Sequence, residues 1–246
     1  VTAFGSVYPE PLNSLDSAGV GFMQRVSARE TLLGLKTVRQ LGGMPFVPLR
    51  LHTVPTHKVH LKRMFDVIVV VLTAPLWLPA MALVGLWVRA RAGGPVLYRQ
   101  TRVGRDGATF ECMKFRTMIA DAEEDGRARL ALLNDDRIVP ALAWMRKMRA
   151  DELPQLFNIL KGEMSLVGPR PERPELVAEI TRRVPGYVRR NELPPGLTGL
   201  AQVHGRYDTD AEYKLGYDLQ YLVNWSLVID VQILFRTVWV VLSRRV

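Results

Sequence analysis

Residues 64–88 read MFDVIVVVLTAPLWLPAMALVGLWV, and this stretch decides the fold class. Asp66 is its one charged residue. As a straight helix, about 25 residues extend ~37 Å at 1.5 Å per residue, which is enough to cross the hydrocarbon core of a bilayer. A buried helix of a soluble protein rarely combines this length with this composition. The sequence therefore predicts a segment that enters a membrane.

Two features of the same stretch argue against a simple span. Pro75 and Pro79 lie inside it, where each proline removes a backbone donor and bends a helix. Both flanks are basic: Lys58, Lys62 and Arg63 precede the run, and Arg89 and Arg91 follow it. A spanning helix normally has an excess of Lys and Arg at one end only. The pattern favours a re-entrant hairpin broken near Ala74-Pro75, and a spanning helix stays the alternative.

The composition limits the possible partners and chemistry. The 246 residues suffice for one ordinary domain and an accessory segment. A formal net charge of +9 predicts attraction to nucleic acid, to an anionic membrane surface or to a phosphorylated substrate. Cys112 is the only cysteine, so an internal disulfide is excluded. Because His204 is the only histidine after residue 60, a Cys–His nucleophile is not favoured either.

Residues 1–61 contain many prolines and glycines and are interpreted as a linker or the remnant of an upstream module. Arg29–Leu41 has helical spacing, and Phe46–Leu51 is typical of a short strand. The three histidines of this segment have no Cys or carboxylate among them, which favours a solvated linker over a metal site. They are His52, His57 and His60.

The rest of the chain predicts an α+β fold that is mostly helical, with a small β element. Residues 93–118 predict two short strands joined by a turn at Arg105-Asp106-Gly107. Helices are predicted, in chain order, at residues 119–133, 138–149, 155–161, 175–184 and 227–242. The last one is interrupted by Asp230 and Arg236, which fits an amphipathic helix lying in the membrane interface.

Aromatic residues recur at every fourth position near the end of the chain, so they share one helix face. They are Tyr213, Tyr217, Tyr221 and Trp225. Such a stripe is typical of a core, but amphipathic rings also settle at a membrane–water boundary. Both interpretations remain open from the sequence.

The acidic pair Asp151-Glu152 is the first candidate for chemistry. It follows Arg146, Lys147 and Arg149, and a carboxylate beside fixed cations stays ionised and nucleophilic. In the plain structural interpretation, Asp151 caps the next helix and Glu152 complements the helix dipole. The two interpretations are compatible, because a helix start also offers N–H groups to a phosphate.

Other cations stand beside prolines, glycines or strand ends, and any one of them alone is typical of a surface charge. They are Lys114 and Arg116 at a strand end, Arg170 and Arg173 in the loop GPRPERP (168–174), and Arg206 after a glycine. Arg presents a rigid fork that matches phosphate oxygens, and proline neighbours lower the entropy lost in holding it. Their recurrence favours a diphosphate site. Neither GxxxxGKS nor GxGxxG occurs, which excludes a Walker-type pocket and gives no dinucleotide fingerprint.

Five blocks of this sequence, in order, resemble those of the bacterial sugar transferases. The blocks are KRMFDVIVVVLTAPLWLPA (62–80), GPVLYRQTRVGRDGATFECMKFRTM (94–118), DELPQLFNILKGEMSLVGPRP (151–171), PGLTGLAQVHGR (195–206) and YDLQYLVN (217–224). Within that family the chain is similar to the monotopic polyprenyl-phosphate hexose-1-phosphate transferases, also called phosphoglycosyl transferases. The resemblance runs from about Lys62 to Arg245.

This resemblance implies a two-step reaction. Asp151 attacks the sugar-bearing phosphorus of a UDP-sugar, UMP leaves, and polyprenyl (undecaprenyl) phosphate then takes the phospho-sugar from the aspartate. The family uses Mg²⁺, which the resemblance assigns to Asp151 and Glu152. It also assigns phosphate or nucleotide binding to five cations, Lys114, Arg116, Arg146, Arg170 and Arg206. Asp218 is expected to complete the pocket.

The resemblance further implies three regions. Residues 1–61 form the linker, 62–92 the re-entrant membrane helix, and 93–246 a catalytic domain with a C-terminal interfacial helix. The expected location is the cytoplasmic face of the bacterial inner membrane, as the first membrane step of polysaccharide or glycoconjugate assembly. An anionic lipid membrane and other copies of the chain are expected partners, and nucleic acid is not.

Three departures from the family pattern stand out. Ala74 occupies the position of a common Ser, which removes a polar brace from the bend. Arg149-Ala150 replaces a common Ser-Leu before the acidic pair, and His204 replaces a common Asn, which bears on sugar preference.

Two other functions agree less well with the sequence. A nucleic-acid binder would leave residues 64–88 unexplained. A catalytically silent membrane scaffold would have no need of the acidic pair.

Overall fold

The computed structural model describes residues 22–25, 39–41, 44–49, 56–119, 135–184, 186–204 and 210–243. The chain divides into two compact units, Val1–Thr53 and Val54–Val246. The predicted helix at 119–133 lies outside the described residues except for Ile119, as does Arg206.

In the first unit, three described strands form an antiparallel sheet. Strands β1 (Phe22–Arg25) and β2 (Arg39–Leu41) pair with opposite edges of β3 (Met44–Leu49). The strand predicted at Phe46–Leu51 is confirmed over residues 46–49, which lie in β3, and residues 50 and 51 lie outside the described part of the chain. The helical spacing predicted through Arg29–Leu41 is wrong in its last three residues, because pairing with β3 makes them a strand.

The second unit is mostly helical with small sheets, as the sequence predicts. Strands β4 (Leu97–Val103) and β5 (Thr109–Phe115) pair antiparallel across the predicted turn at Arg105–Gly107. The other described helices and strands, in chain order, are α1 (Thr56–Leu72), α2 (Ala74–Ala92), α3 (Ala143–Lys147), α4 (Gln155–Lys161), β6 (Ser165–Val167), α5 (Pro174–Arg183), β7 (Gly196–Thr198), α6 (Leu200–His204), α7 (Ala211–Asn224) and α8 (Leu227–Leu242).

The predicted helices at 155–161, 175–184 and 227–242 are confirmed as α4, α5 and α8. The helix predicted at 138–149 is shorter. It consists of a 3₁₀ turn, Pro140–Leu142, followed by α3. It ends early because Arg149 has a φ of 56°, which no helical residue adopts.

The apolar run forms the two helices α1 and α2, bent by 65° at Thr73. In the described part of the chain, no single helix is long and apolar enough to cross a membrane, whereas this bent pair together meets that test. Pro75 lies in the first turn of α2. Because proline has no backbone N–H, one backbone carbonyl of the preceding turn lacks its usual hydrogen-bond donor.

Side chains brace the bend through hydrogen bonds to backbone carbonyls of α1. The Thr73 hydroxyl donates to the Val69 carbonyl at 2.7 Å, and the Trp77 indole donates to the Val70 carbonyl at 2.9 Å. The expectation that the bend lacks a polar brace is therefore wrong. Thr73 supplies the hydroxyl one residue before Ala74.

Buried polar contacts tie α1 to distant elements. Lys62 Nζ donates to Asp230 Oδ2 of α8 at 2.8 Å, with side-chain exposures of 2% and 0%. Asp66 accepts a hydrogen bond from the Ser165 hydroxyl at 2.7 Å and one from the Leu166 N–H at 3.2 Å. Buried charges are stable only when paired, so these contacts fix α1 against α8 and β6.

The core lies where α1, α4, β5, β6, α7 and α8 meet. It includes Val70, Cys112, Ile159, Val167 and Tyr221. Each large apolar side chain buried here contributes about 1.5–3 kcal/mol. Burial raises the pKa of the Cys112 thiol, so this cysteine is a core residue and no thiolate nucleophile.

The aromatic stripe of α7 divides between core and surface. Tyr221 and the following Trp225 are buried, which confirms the core interpretation for these two residues. Tyr213 is exposed and Tyr217 is half-buried. Helix α8 exposes a row of apolar side chains as well, among them Val228, Phe235 and Trp239.

Candidate active site

The acidic pair closes a 3₁₀ turn, Ala150–Glu152, just before α4. Helix α4 begins at Gln155 with Pro154 as its N-cap, and no side chain caps it. The interpretation of Asp151 as a helix cap is therefore wrong. Pro154 sets the helix start instead, because proline has no backbone N–H to donate and is tolerated at the start of a helix. The carboxylate of Asp151 stays available for another role.

Glu152 is buried, and three cations converge on its Oε1 atom. Lys114 Nζ of β5 lies at 2.8 Å, while Arg149 Nη1 and Arg170 Nη2 each lie at 3.5 Å. Burial favours the neutral acid, but the three cations outweigh it and hold the pKa of Glu152 well below its usual range. The structure thus brings the predicted residues Lys114 and Arg170 together at Glu152.

Asp151 behaves differently from its neighbour. Its Oδ1 atom is buried without a hydrogen-bond partner among the described residues. Burial and the charge of Glu152 raise the pKa of Asp151, and Lys114, Arg146 and Arg149 lower it less. The sequence predicted that Arg146, Lys147 and Arg149 keep this carboxylate ionised, but Arg149 contacts Glu152, and burial raises the pKa of Asp151. A buried carboxylate oxygen without a partner requires a functional explanation.

The loop that carries Arg170 lies against a second Gly-rich loop. Strands β6 and β7 pair in parallel, and the Gly168 N–H donates to the Thr198 carbonyl at 2.8 Å. A Cβ atom at Gly168 would lie 2.4 Å from the Pro194 carbonyl oxygen, and one at Gly196 would lie 2.1 Å from the Gly168 nitrogen. Only glycine permits this close approach of two backbones. The two Pro/Gly-rich loops therefore pack closely against each other, and this packing holds Arg170 at the acidic pair.

Two further predicted residues have different surroundings. Arg146 is half-buried in α3 and acts electrostatically on Asp151. Arg116 is buried, and its guanidinium donates to the Ala92 carbonyl at the end of α2. The described contact of Arg116, which follows β5, therefore ties the end of this strand to α2 and does not reach the acidic pair.

Asp218 reaches the site through a residue that the sequence analysis missed. Asp218 Oδ2 pairs with Arg190 Nη2 at 2.8 Å, and both side chains are buried. Arg190 also donates to the Arg170 carbonyl at 3.0 Å and to the Tyr187 hydroxyl. Burial raises the pKa of Asp218 to about 6, although Arg190 opposes that rise. Nothing in the local sequence distinguishes Arg190 from its neighbour Arg189. The ion pair with the distant Asp218 identifies Arg190 as a buried residue of the site.

Asp218→Asn is expected to destabilise the protein by about 3–5 kcal/mol, because Arg190 would stay buried without its counter-ion. Thermal denaturation measures the change. Glu212→Gln, at an exposed acid of the same helix, is the control and is expected to leave the melting temperature unchanged. Equal melting temperatures for the Asp218 variant and the wild type would contradict a supporting role for this pair.

The acidic pair fits a magnesium ion that is shared with a phosphorylated substrate. Mg²⁺ prefers one or two carboxylates together with phosphate oxygens, and Asp151 Oδ1 is a buried carboxylate oxygen without a partner. Among the described residues, no group of three or more His, Cys, Asp or Glu side chains can hold a metal.

The chain is similar in sequence to known proteins over most of its length. The family model for bacterial sugar transferases matches residues 57–244. UDP-N-acetylgalactosamine-undecaprenyl-phosphate N-acetylgalactosaminephosphotransferase of Aeromonas hydrophila is 39% identical over 186 residues, which cover 74% of this chain and 44% of that protein. UDP-glucose:undecaprenyl-phosphate glucose-1-phosphate transferase of Klebsiella pneumoniae is 37% identical over 205 residues, covering 81% and 44%.

A shorter relative is matched over most of its length. The exopolysaccharide production protein ExoY of Rhizobium meliloti is 39% identical over 215 residues, which cover 82% of this chain and 87% of that protein. The chain thus spans less than half the length of the first two relatives and most of the third. This chain belongs to the bacterial sugar transferase family.

Proposed function

We propose that this chain transfers a sugar-1-phosphate from a UDP-sugar to polyprenyl (undecaprenyl) phosphate through a phospho-sugar ester on Asp151. The observation that carries the proposal is the buried, unpartnered Oδ1 of Asp151 beside a cluster of three cations. The names of the relatives from Aeromonas and Klebsiella, with their UDP-sugar and undecaprenyl-phosphate substrates, support the two substrate classes.

In the first step, an Asp151 carboxylate oxygen attacks the phosphorus that bears the sugar. The bond from that phosphorus to the bridging oxygen breaks, and UMP leaves with the bonding electrons. Lys114, Arg170 and Arg146 lower the energy of the charge that develops on the phosphate oxygens, since phosphoryl transfer depends on positioning and electrostatic stabilisation.

In the second step, a phosphate oxygen of the polyprenyl phosphate attacks the same phosphorus. The ester bond to Asp151 breaks, the carboxylate is restored, and the product is a polyprenyl-diphosphate sugar. Two displacements at one carboxylate allow substrates from water and from lipid to bind in turn.

Glu152 serves as a fixed anion that holds the cations in place before substrate binds. Its contacts with Lys114 and Arg170 hold both side chains beside the acidic pair. Asp151 and Glu152 would hold Mg²⁺ together with diphosphate oxygens, and the ion would neutralise charge on the leaving UMP.

The bent pair α1–α2 would enter the bacterial inner membrane from the cytoplasmic face and return to it. The bend, the basic residues at both ends and the exposed leucines support this topology. The exposed leucines include Leu72, Leu76, Leu83 and Leu86. The exposed apolar row of α8 would lie in the interface beside it. Such a topology would bring the chemistry to the surface where a lipid phosphate is accessible, as the first membrane step of polysaccharide assembly such as exopolysaccharide or O-antigen synthesis.

The topology predicts that both ends of the bent pair label from the cytoplasmic side. His60→Cys and Ala90→Cys replace exposed residues on either side of the apolar run. The native Cys112 is buried, so it should not react with a membrane-impermeant maleimide. Inverted vesicles should label both introduced cysteines, and intact spheroplasts neither. Labelling of the two sites from opposite sides would establish a spanning helix.

The reaction is tested by incubating the purified chain with a panel of UDP-sugars, Mg²⁺ and undecaprenyl phosphate while UMP release is measured. We expect steady UMP release with a subset of the sugars. Without the lipid acceptor, a single burst equal to the enzyme concentration is expected, as in ping-pong kinetics. UMP release that requires the acceptor even in the first turnover would contradict the covalent route, and no release with any sugar would contradict the proposed function.

A further inference from the structure

Arg149 has an unfavourable backbone conformation two residues before the proposed nucleophile. Its φ of 56° and ψ of 19° are left-handed, a region that favours glycine and that Asn or Asp tolerate better than Arg. Among the described non-glycine residues, Asp106 is the one other with positive φ. An arginine is therefore a poor choice for this position on backbone grounds alone.

The left-handed residue is needed because of what it connects. The Arg149 N–H donates to the Arg146 carbonyl at 3.3 Å as α3 ends, and the Arg149 carbonyl accepts from the Glu152 N–H at 3.1 Å as the next turn begins. A glycine would make this connection with less strain, as it does at the end of many helices. The backbone thus explains the conformation of residue 149, and it leaves the arginine side chain unexplained.

The side chain of Arg149 points into the cation cluster but is held loosely there. Its Nη1 lies 3.5 Å from Glu152 Oε1, whereas Lys114 Nζ lies at 2.8 Å from the same atom. The Arg149 side chain is 41% exposed, against 21% for Lys114. Most of the guanidinium donors of Arg149 are therefore free to contact a ligand that approaches from solvent.

The charge of the cluster indicates what that ligand is. One carboxylate, Glu152, contacts three cations, so the cluster keeps an excess of positive charge. Even with Asp151 counted as a second carboxylate, the three cations exceed the two acids. A phosphate group has the charge and the oxygen geometry that complement such an excess.

We propose that Arg149 is a substrate-binding residue whose guanidinium binds phosphoryl oxygens, beyond the cations that the family resemblance assigns. This inference rests on the proposed function for its choice of ligand. The phosphoryl oxygens belong either to the diphosphate of the UDP-sugar or to the polyprenyl phosphate. The strained backbone is retained because the position is used for a charge.

Arg149→Gly removes the charge and the backbone strain together, and two measurements report on them separately: the melting temperature on the strain and kcat/KM on the charge. We expect its melting temperature to equal or exceed that of the wild type, while kcat/KM for UMP release falls roughly 10- to 100-fold through loss of charged hydrogen bonds. Arg149→Lys keeps the charge and should recover part of the activity. Asp106→Gly relieves strain at the other left-handed position, far from the acidic pair in sequence, and should leave kcat/KM unchanged.

Steady-state kinetics with each substrate varied separately identify the phosphate source. A rise in KM for the UDP-sugar alone assigns Arg149 to the diphosphate, and a rise for polyprenyl phosphate alone assigns it to the lipid. An unchanged kcat/KM for both substrates in Arg149→Gly would overturn the proposal.

Binding measurements keep this test independent of turnover. If the wild type released no UMP, the proposed function would fail, and calorimetric titration would still decide the role of Arg149. UDP and nanodiscs that contain polyprenyl phosphate serve as the probes. Arg149→Gly should weaken binding of at least one of them, and equal affinities in variant and wild type for both would contradict the inference.

Discussion

Asp151→Asn is expected to lower UMP release by roughly 10⁴-fold or more, because an amide oxygen cannot form the phospho-sugar ester on which both steps depend. The burst without lipid acceptor should disappear as well. Protein incubated with a UDP-sugar labelled in the sugar should retain no label after denaturation. The measurement is the amount of UMP and of protein-bound label per enzyme.

The same substitution should not damage the fold. Asp151 Oδ1 is buried and has no hydrogen-bond partner in the part of the chain that the structure describes, and burial raises the pKa of this carboxyl, so its charge is a cost to the folded state. Removing the charge should leave the melting temperature unchanged or slightly higher, as is common for active-site residues. Membrane association, followed by co-sedimentation, should persist.

Asp136→Asn, at an exposed acid in the described part of the chain, is the control for charge removal and should leave turnover intact. Near-normal turnover in Asp151→Asn would exclude this residue as the nucleophile. A collapse of its melting temperature would instead show that the carboxylate is structural.

Features that depend on near neighbours in the chain were predictable from the sequence. The length of the apolar run and the position of Pro75 predict a broken helix, and the bend occurs at Thr73. The turn at Arg105–Gly107 predicts the β4–β5 hairpin. The acidic pair and the proline-stiffened arginine loop were identified as candidates, and Arg170 does contact Glu152.

Features that depend on which distant side chains meet were not predictable. Lys62 and Asp230 are 168 positions apart, and nothing in either local pattern indicates their pairing. Asp218 was assigned to the pocket, but its partner Arg190 had no signal that distinguished it from a surface arginine. The cap at Asp151 was predicted from composition, whereas Pro154 and the preceding 3₁₀ turn decide where α4 begins. Tertiary packing sets each of these outcomes.

Glu152→Gln is expected to have the opposite effect on stability from Asp151→Asn, although the two residues are adjacent. The amide would leave Lys114, Arg149 and Arg170 around a neutral group. Removing one partner of a buried ion pair costs about 3–5 kcal/mol. Because Arg170 and Arg149 are 36% and 41% exposed, solvent screens part of their repulsion, and a loss of about 2–3 kcal/mol is expected. Transfer should also fall, since the cations lose their fixed positions.

The pH dependence of stability gives an independent measurement. The folded-state pKa of Glu152 lies below its unfolded value of 4.5, so its stabilising effect is fully present above that value. The stabilisation is lost as the pH falls below 4.5 toward the folded-state pKa. The wild type should therefore lose stability on acidification through this window, and Glu152→Gln should lose less over the same range.

Glu179→Gln is the matched control, because Glu179 also contacts an arginine, Arg183, at 2.7 Å but on the surface. An exposed pair of this kind contributes at most about 0.5 kcal/mol, so its removal should leave both melting temperature and pH slope nearly unchanged. A melting temperature for Glu152→Gln at or above that of the wild type, with the same acid slope, would show that Glu152 does not organise the cations. In that case, Lys114 and Arg170 would keep their positions without the charge of Glu152, and contacts other than those with Glu152 would have to hold them near Asp151.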